Sequence, residues 1–227
     1  MLSFTPELWQ SVWLTLKLAF LTTIALILLG LPLAHWLNVS RWKGVVVVET
    51  LVTLPIVLPP TVIGFYLLVL FAPQNPLGQL WKGVTGHTLA FSFSGLVVGS
   101  IFYSLPFAVQ PFQAALKAVP FTLIEVARIS GANLLQTFWY VVLPFAKRGI
   151  CAGIALSFAH TVGEFGVVLM LGGNIPGVTR VASIALYDEV QKLNYPAAHF
   201  TALVLLGISF SLLFAITLLQ RRSADAL

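Results

Sequence analysis

Val12-Trp-Leu-Thr-Leu-Lys-Leu-Ala-Phe-Leu-Thr-Thr-Ile-Ala-Leu-Ile-Leu-Leu-Gly-Leu-Pro-Leu-Ala-His-Trp-Leu37 carries a single formal charge, on Lys17. About 20 apolar residues in a helix suffice to cross a bilayer core of ~30 Å, so this run is long enough to span a membrane. Four further apolar runs follow: Val45 to Phe71, Leu89 to Val109, Ile150 to Leu171 and Ala198 to Leu219. All should be helical, because an open strand would leave backbone N–H and C=O groups unpaired against lipid. The expected fold class is therefore all-α, a polytopic membrane bundle of five transmembrane helices forming one domain over residues 1–227.

Composition supports bilayer as the solvent. Of 227 residues, 59% are hydrophobic and 8% charged, against about a quarter charged in a soluble domain; mean hydropathy is +0.97. The spans leave no room for a sizeable soluble catalytic domain, so any ATPase the function needs would sit on another polypeptide. Cys151 is the one cysteine, which excludes an intrachain disulfide and a cysteine-built metal site. The net charge of +5 does not point to nucleic acid, because the basic residues sit at the ends of apolar runs. Met1 to Gln10 has no Lys or Arg and contains Glu7, unlike a cleavable signal peptide.

Those basic residues orient the chain. Arg41, Lys43, Lys117, Arg128, Lys147, Arg148, Arg221 and Arg222 fall on one side of a five-span topology, and Lys82, Arg180 and Lys192 on the other. Eight against three puts the N-terminus outside and the C-terminus in the cytoplasm, with Gln110 to Gly149 the longest cytoplasmic loop. Trp9, Trp36, Trp42 and Trp81 lie near span ends, where amphipathic rings anchor to the interface. The external connection Gly172 to Pro196 is expected to hold a short helix over Val181 to Leu193, with Asp188 and Glu189.

Pro55, Pro59 and Pro60 interrupt the second run, each removing a donor and disfavouring helix before it. Two readings stand: a kink between packed halves, or a broken helix whose freed backbone lines a pathway.

Within the longest cytoplasmic loop stand Glu125-Val-Ala-Arg-Ile-Ser-Gly131 and, after nine intervening residues, Val141-Val-Leu-Pro144. Thr122 and Glu125 have capping-box spacing, and Ala127 keeps one face low enough for another protein to approach. Gly131 suits a left-handed helix end. A second helix is expected from about Leu134, with Pro144 marking re-entry into the membrane.

This spacing resembles the EAA loop of ABC importer permeases: Glu125, Ala127, Gly131, Leu143 and Pro144 match, while Val126 and Val141 depart mildly from Ala and Ile. Leu54-Pro-Ile-Val-Leu-Pro-Pro-Thr-Val-Ile-Gly64, Leu89-Ala-Phe-Ser-Phe-Ser-Gly95 and Ala159-His-Thr-Val-Gly-Glu-Phe-Gly166 resemble segments of molybdate permease subunits, the last shared with tungstate and sulfate relatives. Asn174-Ile-Pro-Gly177 with Thr179-Arg180 is closer to the molybdate branch.

The resemblance implies a multi-pass subunit of the bacterial plasma (inner) membrane, importing molybdate by alternating access as a homodimer. The implied partners are a cytoplasmic ABC ATPase dimer, which would bind ATP and Mg, and an extracytoplasmic molybdate-binding protein. Glu125, Ala127, Arg128, Gly131, Leu143 and Pro144 would form the ATPase-coupling loop. No phosphate-binding Gly-rich loop occurs in the chain, and no cofactor or catalytic residue is expected in it. A sulfate or thiosulfate importer is the nearest alternative.

Ionisable groups inside spans are costly and point to function. Lys17, His160 and Glu164 are the deepest, with Glu49 nearer the cytoplasmic end. Lys17 can snorkel. His160 and Glu164 share a helix face, but a metal site lacks a third ligand. A proton relay for a secondary anion carrier is the other alternative, although a bare carboxylate repels anionic cargo. Glu164, between Gly163 and Gly166, reads either as a packing or hinge residue or as a substrate contact. Hydroxyls and helix N-termini suit a tetrahedral dianion, which makes Thr61, Ser157 and Thr161 candidate contacts; with Pro59 and Pro60 of the interrupted run and Glu164 they form the candidate pathway or gate. Each hydroxyl can equally serve helix packing.

Overall fold

A computed structural model describes residues 6–224, with side chains described through Leu218 except Ile216. Met1 to Thr5, the first half of the stretch read against a signal peptide, and the side chains of Arg221 and Arg222 lie outside the described residues.

The first run lies in the helix α1 (Pro6–Val39), the third starts in the turn at Leu89 and continues in α5 (Phe93–Lys117), and the fifth lies in α11 (Tyr195–Ala224). Each is apolar and long enough to cross a membrane. The second run is α2 (Val45–Val57) and α3 (Pro60–Leu70), which meet at 117°. A short helix not expected from the sequence, α4 (Pro76–Thr85), follows. The loop helix is α6 (Phe121–Ile129). After it, α7 (Leu134–Thr137), a π-helical turn (Phe138–Val142) and α8 (Leu143–Gly163) form one continuous helix. The end opposite the basic loop comprises α9 (Gly166–Gly172) and α10 (Ala182–Gln191).

Two apolar layers set the directions of these helices. At the basic end Leu26, Ala34 and Leu37 of α1 pack with Val52 of α2, Val109 and Phe112 of α5, and Ala146 and Ile150 of α8. At the other end Leu14 and Leu18 of α1 pack with Leu96 of α5, Val168 of α9 and Ile184 of α10. Thus α1 and α5 run parallel, and α8–α9 runs against them. Beside them Leu67 and Phe71 of α3 pack with Leu89, Val167 and Leu171, so α2–α3 connects the two ends despite its bend. The N-terminal half of α11 packs on the start of α1, while Leu206, Phe210 and Phe214 remain exposed. Five crossings result when the bent pair counts as one.

Several boundaries differ from the sequence expectation. Gln110 to Lys117, placed in the loop, complete α5, and Leu134 to Gly149 already belong to the fourth crossing. Pro144 therefore does not separate a loop helix from a span. Its ring crowds the carbonyl four residues back, and the π turn before it, with Leu143 N–H bonded to the Phe138 carbonyl, keeps the helix continuous. Nor does Thr122 cap α6: the helix starts after Pro120 with no side-chain cap. The capping box forms instead at Asn133 and Gln136, where a free backbone N–H and a facing amide coincide.

Candidate functional site: a cavity between two broken helices

Two interruptions meet between the apolar layers. Leu58 and Pro59 break the second run; both are extended, and Pro60, whose missing N–H costs nothing at a helix start, opens α3. The fourth run breaks after Gly163, where Glu164 turns extended and α9 begins at Gly166. The breaks touch because Gly166 has no side chain: a Cβ there would stand 2.9 Å from the Pro60 ring. Gly64, one turn on in α3, is as tight against α9: a Cβ there would stand 2.7 Å from the Met170 Cβ.

Beside this junction is a cavity of ≈ 440 Å³, lined by Pro60, Thr61, Tyr103, His160 and Glu164 among others. Phe107 stacks on the His160 ring at 3.7 Å between centroids, and Tyr103 lies at 4.9 Å. Ser104 Oγ is 2.9 Å from His160 Nδ1 and 3.0 Å from Thr161 Oγ1. Thr161 donates to the Ser157 carbonyl at 2.9 Å, and Ser157 to the Ile154 carbonyl at 2.9 Å. Glu164 is buried with no hydrogen-bond partner on either carboxylate oxygen, Ser100 facing it without closing a bond. Its carbonyl accepts a bond from Ser183 at 2.6 Å, which ties the break to α10.

The six predicted pathway residues thus separate. Pro60, Thr61 and Glu164 line the cavity, and Pro59 forms the break next to it. Ser157 and Thr161 are buried behind the surface, bonded to backbone and to Ser104. His160, which sequence reasoning did not place in the pathway, lines the cavity; its contact with Ser104 joins residues 56 apart. Among the described residues no group of three or more His, Cys, Asp or Glu could hold a metal ion.

At the basic end α6 closes in a Schellman turn. Gly131 has φ +86, its N–H bonds to the Arg128 carbonyl at 3.0 Å, and Ala132 N–H to the Ala127 carbonyl at 3.0 Å. Ile124 and Leu143 pack on the basic-end core, whereas Phe121, Val126, Ile129, Leu134 and Leu135 are exposed. Glu125 and Arg128 are exposed on the same short helix and Pro144 beside it, while Ala127 is half-buried. In a membrane protein such a patch faces either lipid or another protein. Nearby, Gln113 joins α1 to α2: its amide donates to Glu49 at 3.3 Å and its carbonyl accepts from Asn38 at 3.1 Å. Lys17 rests over the Phe93 ring, 4.9 Å from its centroid.

At the end away from the basic loop α10 has no side-chain cap of its own; Thr15 of α1 accepts from Ala182 N–H at 2.8 Å. Arg180 and Lys192 flank Asp188 at 3.7 and 2.9 Å. Hydrogen bonding to Lys192 is the main cause that holds the Asp188 carboxyl below the usual aspartate range. The same bond is the main cause that raises Lys192.

A broken-helix bundle with a cavity at the breaks and an apolar surface at its basic end is the architecture of a membrane transport subunit. The chain belongs to the binding-protein-dependent transport system inner membrane component family, whose model matches residues 8–225. It is 50% identical over 205 residues to the molybdenum transport system permease protein ModB of Azotobacter vinelandii, covering 89% of this chain and 90% of that one. It is 35% identical over 217 residues to the sulfate transport system permease protein CysT of Escherichia coli, covering 96% of this chain and 78% of the relative. Its fold matches the MetNI methionine ABC transporter in an inward-facing conformation, with a TM-score of 0.76 at 20% identity over 97% of this chain and 99% of that one. The family's members are transport components rather than enzymes.

Proposed function

We propose that this chain is the permease subunit of an ATP-driven importer that moves molybdate into the cytoplasm. The observation that carries the substrate is the 50% identity to a molybdenum permease along nearly the whole of both chains, against 35% to a sulfate permease. Two copies of the chain form the pathway, with the N-terminus outside and the basic end in the cytoplasm of a bacterium. The exposed face of α6, with Glu125 and Arg128, docks a cytoplasmic ATPase that binds ATP and Mg, with the half-buried Ala127 at its edge and the Gly131 turn closing it. Leu143 and Pro144 pass the motion to α8, since α7, the π turn and α8 are one helix. That helix ends at the cavity, so a push on α6 reaches the Glu164 break through a rigid rod. Pro59, Pro60, Thr61 and Glu164 form the gate region, with Ser157 and Thr161 supporting it from behind. The connection around α10 receives a molybdate-loaded binding protein.

Uptake of labelled molybdate by cells expressing the complete system tests the substrate. Import that a large excess of sulfate leaves unchanged supports molybdate; import abolished by equimolar sulfate makes this a sulfate permease.

A further inference from the structure

We infer that His160 is the group that contacts the oxyanion in the cavity, and that it takes the anion together with one proton. This rests on the reading of the cavity as part of the oxyanion path.

The hydrogen-bond directions follow from one fixed point. The Ser157 carbonyl only accepts, so the bond from Thr161 uses that residue's one hydroxyl proton. At the 3.0 Å contact between Ser104 and Thr161, Ser104 is then the donor. With its proton spent, Ser104 accepts from His160 Nδ1–H at 2.9 Å. A neutral imidazole has one N–H. The neutral ring therefore carries its proton on Nδ1 and has a bare lone pair at Nε2, which offers nothing to an anion. The imidazolium has N–H groups on both nitrogens and a positive charge. Phe107 and Tyr103 hold the ring in place, and Nε2 makes no hydrogen bond within the described chain.

Among the described residues lining the cavity, His160 is the one able to become a cation. Tyr103 on α5 and Glu164, one turn on, are the other titratable groups facing it; α3 contributes Pro60 and Thr61, and α9 contributes Gly166. Glu164 also lines the cavity, but both of its carboxylate oxygens are buried, with Ser100 beside them. The last turn of α8, where His160 sits, favours a positive charge through its unpaired carbonyls. Thr61, in the first turn of α3, completes a polar lining opposite the ring. The proton reaches Nε2 from water or arrives on a monohydrogen oxyanion; both routes give the same loaded state. A group that is a cation only while loaded binds well enough to admit the anion and releases it on losing the proton, as a transport site requires.

The test uses the intact permease–ATPase complex with its binding protein in proteoliposomes, and labelled molybdate. Uptake at low substrate is compared between wild type and His160→Asn across pH, so that contributions of the other subunits cancel in the ratio. The wild type should lose relative uptake by about tenfold per pH unit wherever the empty site is neutral and the loaded site protonated, through linkage of anion and proton; His160→Asn should be low and flat. A pH indicator should report one proton taken up per molybdate bound by wild-type permease. Ser104→Ala, which frees the ring to carry its proton on Nε2, should bind with less proton uptake. Equal KM and equal pH profiles for wild type and His160→Asn, or molybdate binding by wild type without proton uptake, would overturn the role of His160. A wild-type complex that imports no molybdate at any pH overturns the proposed function instead.

Discussion

Gly166 lies against Pro60 so closely that a Cβ on the glycine would stand 2.9 Å from two atoms of the proline ring. This one contact brings the two helix breaks to the same place and makes the cavity beside them. Gly166→Val should force α3 and α9 apart at a cost of about 1–3 kcal/mol, the usual penalty of overpacking. The purified complex should melt at a lower temperature and transport poorly. Gly83→Ala in α4, where an added Cβ meets nothing within 4 Å, should leave the melting temperature unchanged. Equal melting of the two variants would contradict the tight junction.

The Gly131 turn separates backbone strain from steric clash. A Cβ there meets no atom within 4 Å, but φ is +86. Gly131→Val should cost about 1–3 kcal/mol of local strain, and Gly131→Asn, which tolerates the left-handed region, much less. Co-purification with the ATPase should fall for valine and persist for asparagine. Loss with both would show that the side chain itself blocks the contact.

The ion pairs on α10 predict a pH dependence of small size. Asp188 has its carboxyl held below the ordinary range, so its stabilisation is full above that range and is lost as the pH falls through the lowered value. Lys192 is shifted upward, so its share is full at neutral pH and disappears in strong alkali. Asp188→Asn should lower stability at neutral pH by at most about 1 kcal/mol, because surface pairs are screened. Thermal melts of wild type and variant should converge in acid; a gap that widens there would contradict the assignment.

Much of this architecture can be read from residue types alone. The apolar runs give the five crossings, Pro59 and Pro60 give the first break, and Gly131 gives the left-handed turn. Asn75-Pro76 followed by Gly86 is a start and stop signal that would have located α4, whose Pro76 opens the helix and whose Gly86 closes it at φ +77. What sequence does not carry is the meeting of distant residues. Ser104 with His160, and Gly166 with Pro60, depend on how α5, α3 and α9 pack, and no local pattern encodes that. The loop boundary moved for a similar reason: α5 extends to Lys117 because Phe112 and Leu116 are buried against α1 and α8, which overrides the polar Gln110, Gln113 and Lys117 around them.

Reporter fusions test the orientation. Fusions at residues 118–133 should report cytoplasm, and fusions near Lys82 and Arg180 the outside, as the eight-to-three distribution of basic residues requires. A cytoplasmic signal at Lys82 would mean that α2 and α3 re-enter rather than cross.

The most direct test of an ATP-driven importer is molybdate accumulation in proteoliposomes containing the permease, its ATPase and the binding protein, with ATP on the side of the basic end. The account predicts accumulation with ATP, none with a proton gradient alone, and none with ATP when Ala127→Arg places a long cation at the edge of the α6 docking face. Accumulation driven by the proton gradient in the absence of ATP, or undiminished transport by the Ala127→Arg complex, would contradict it.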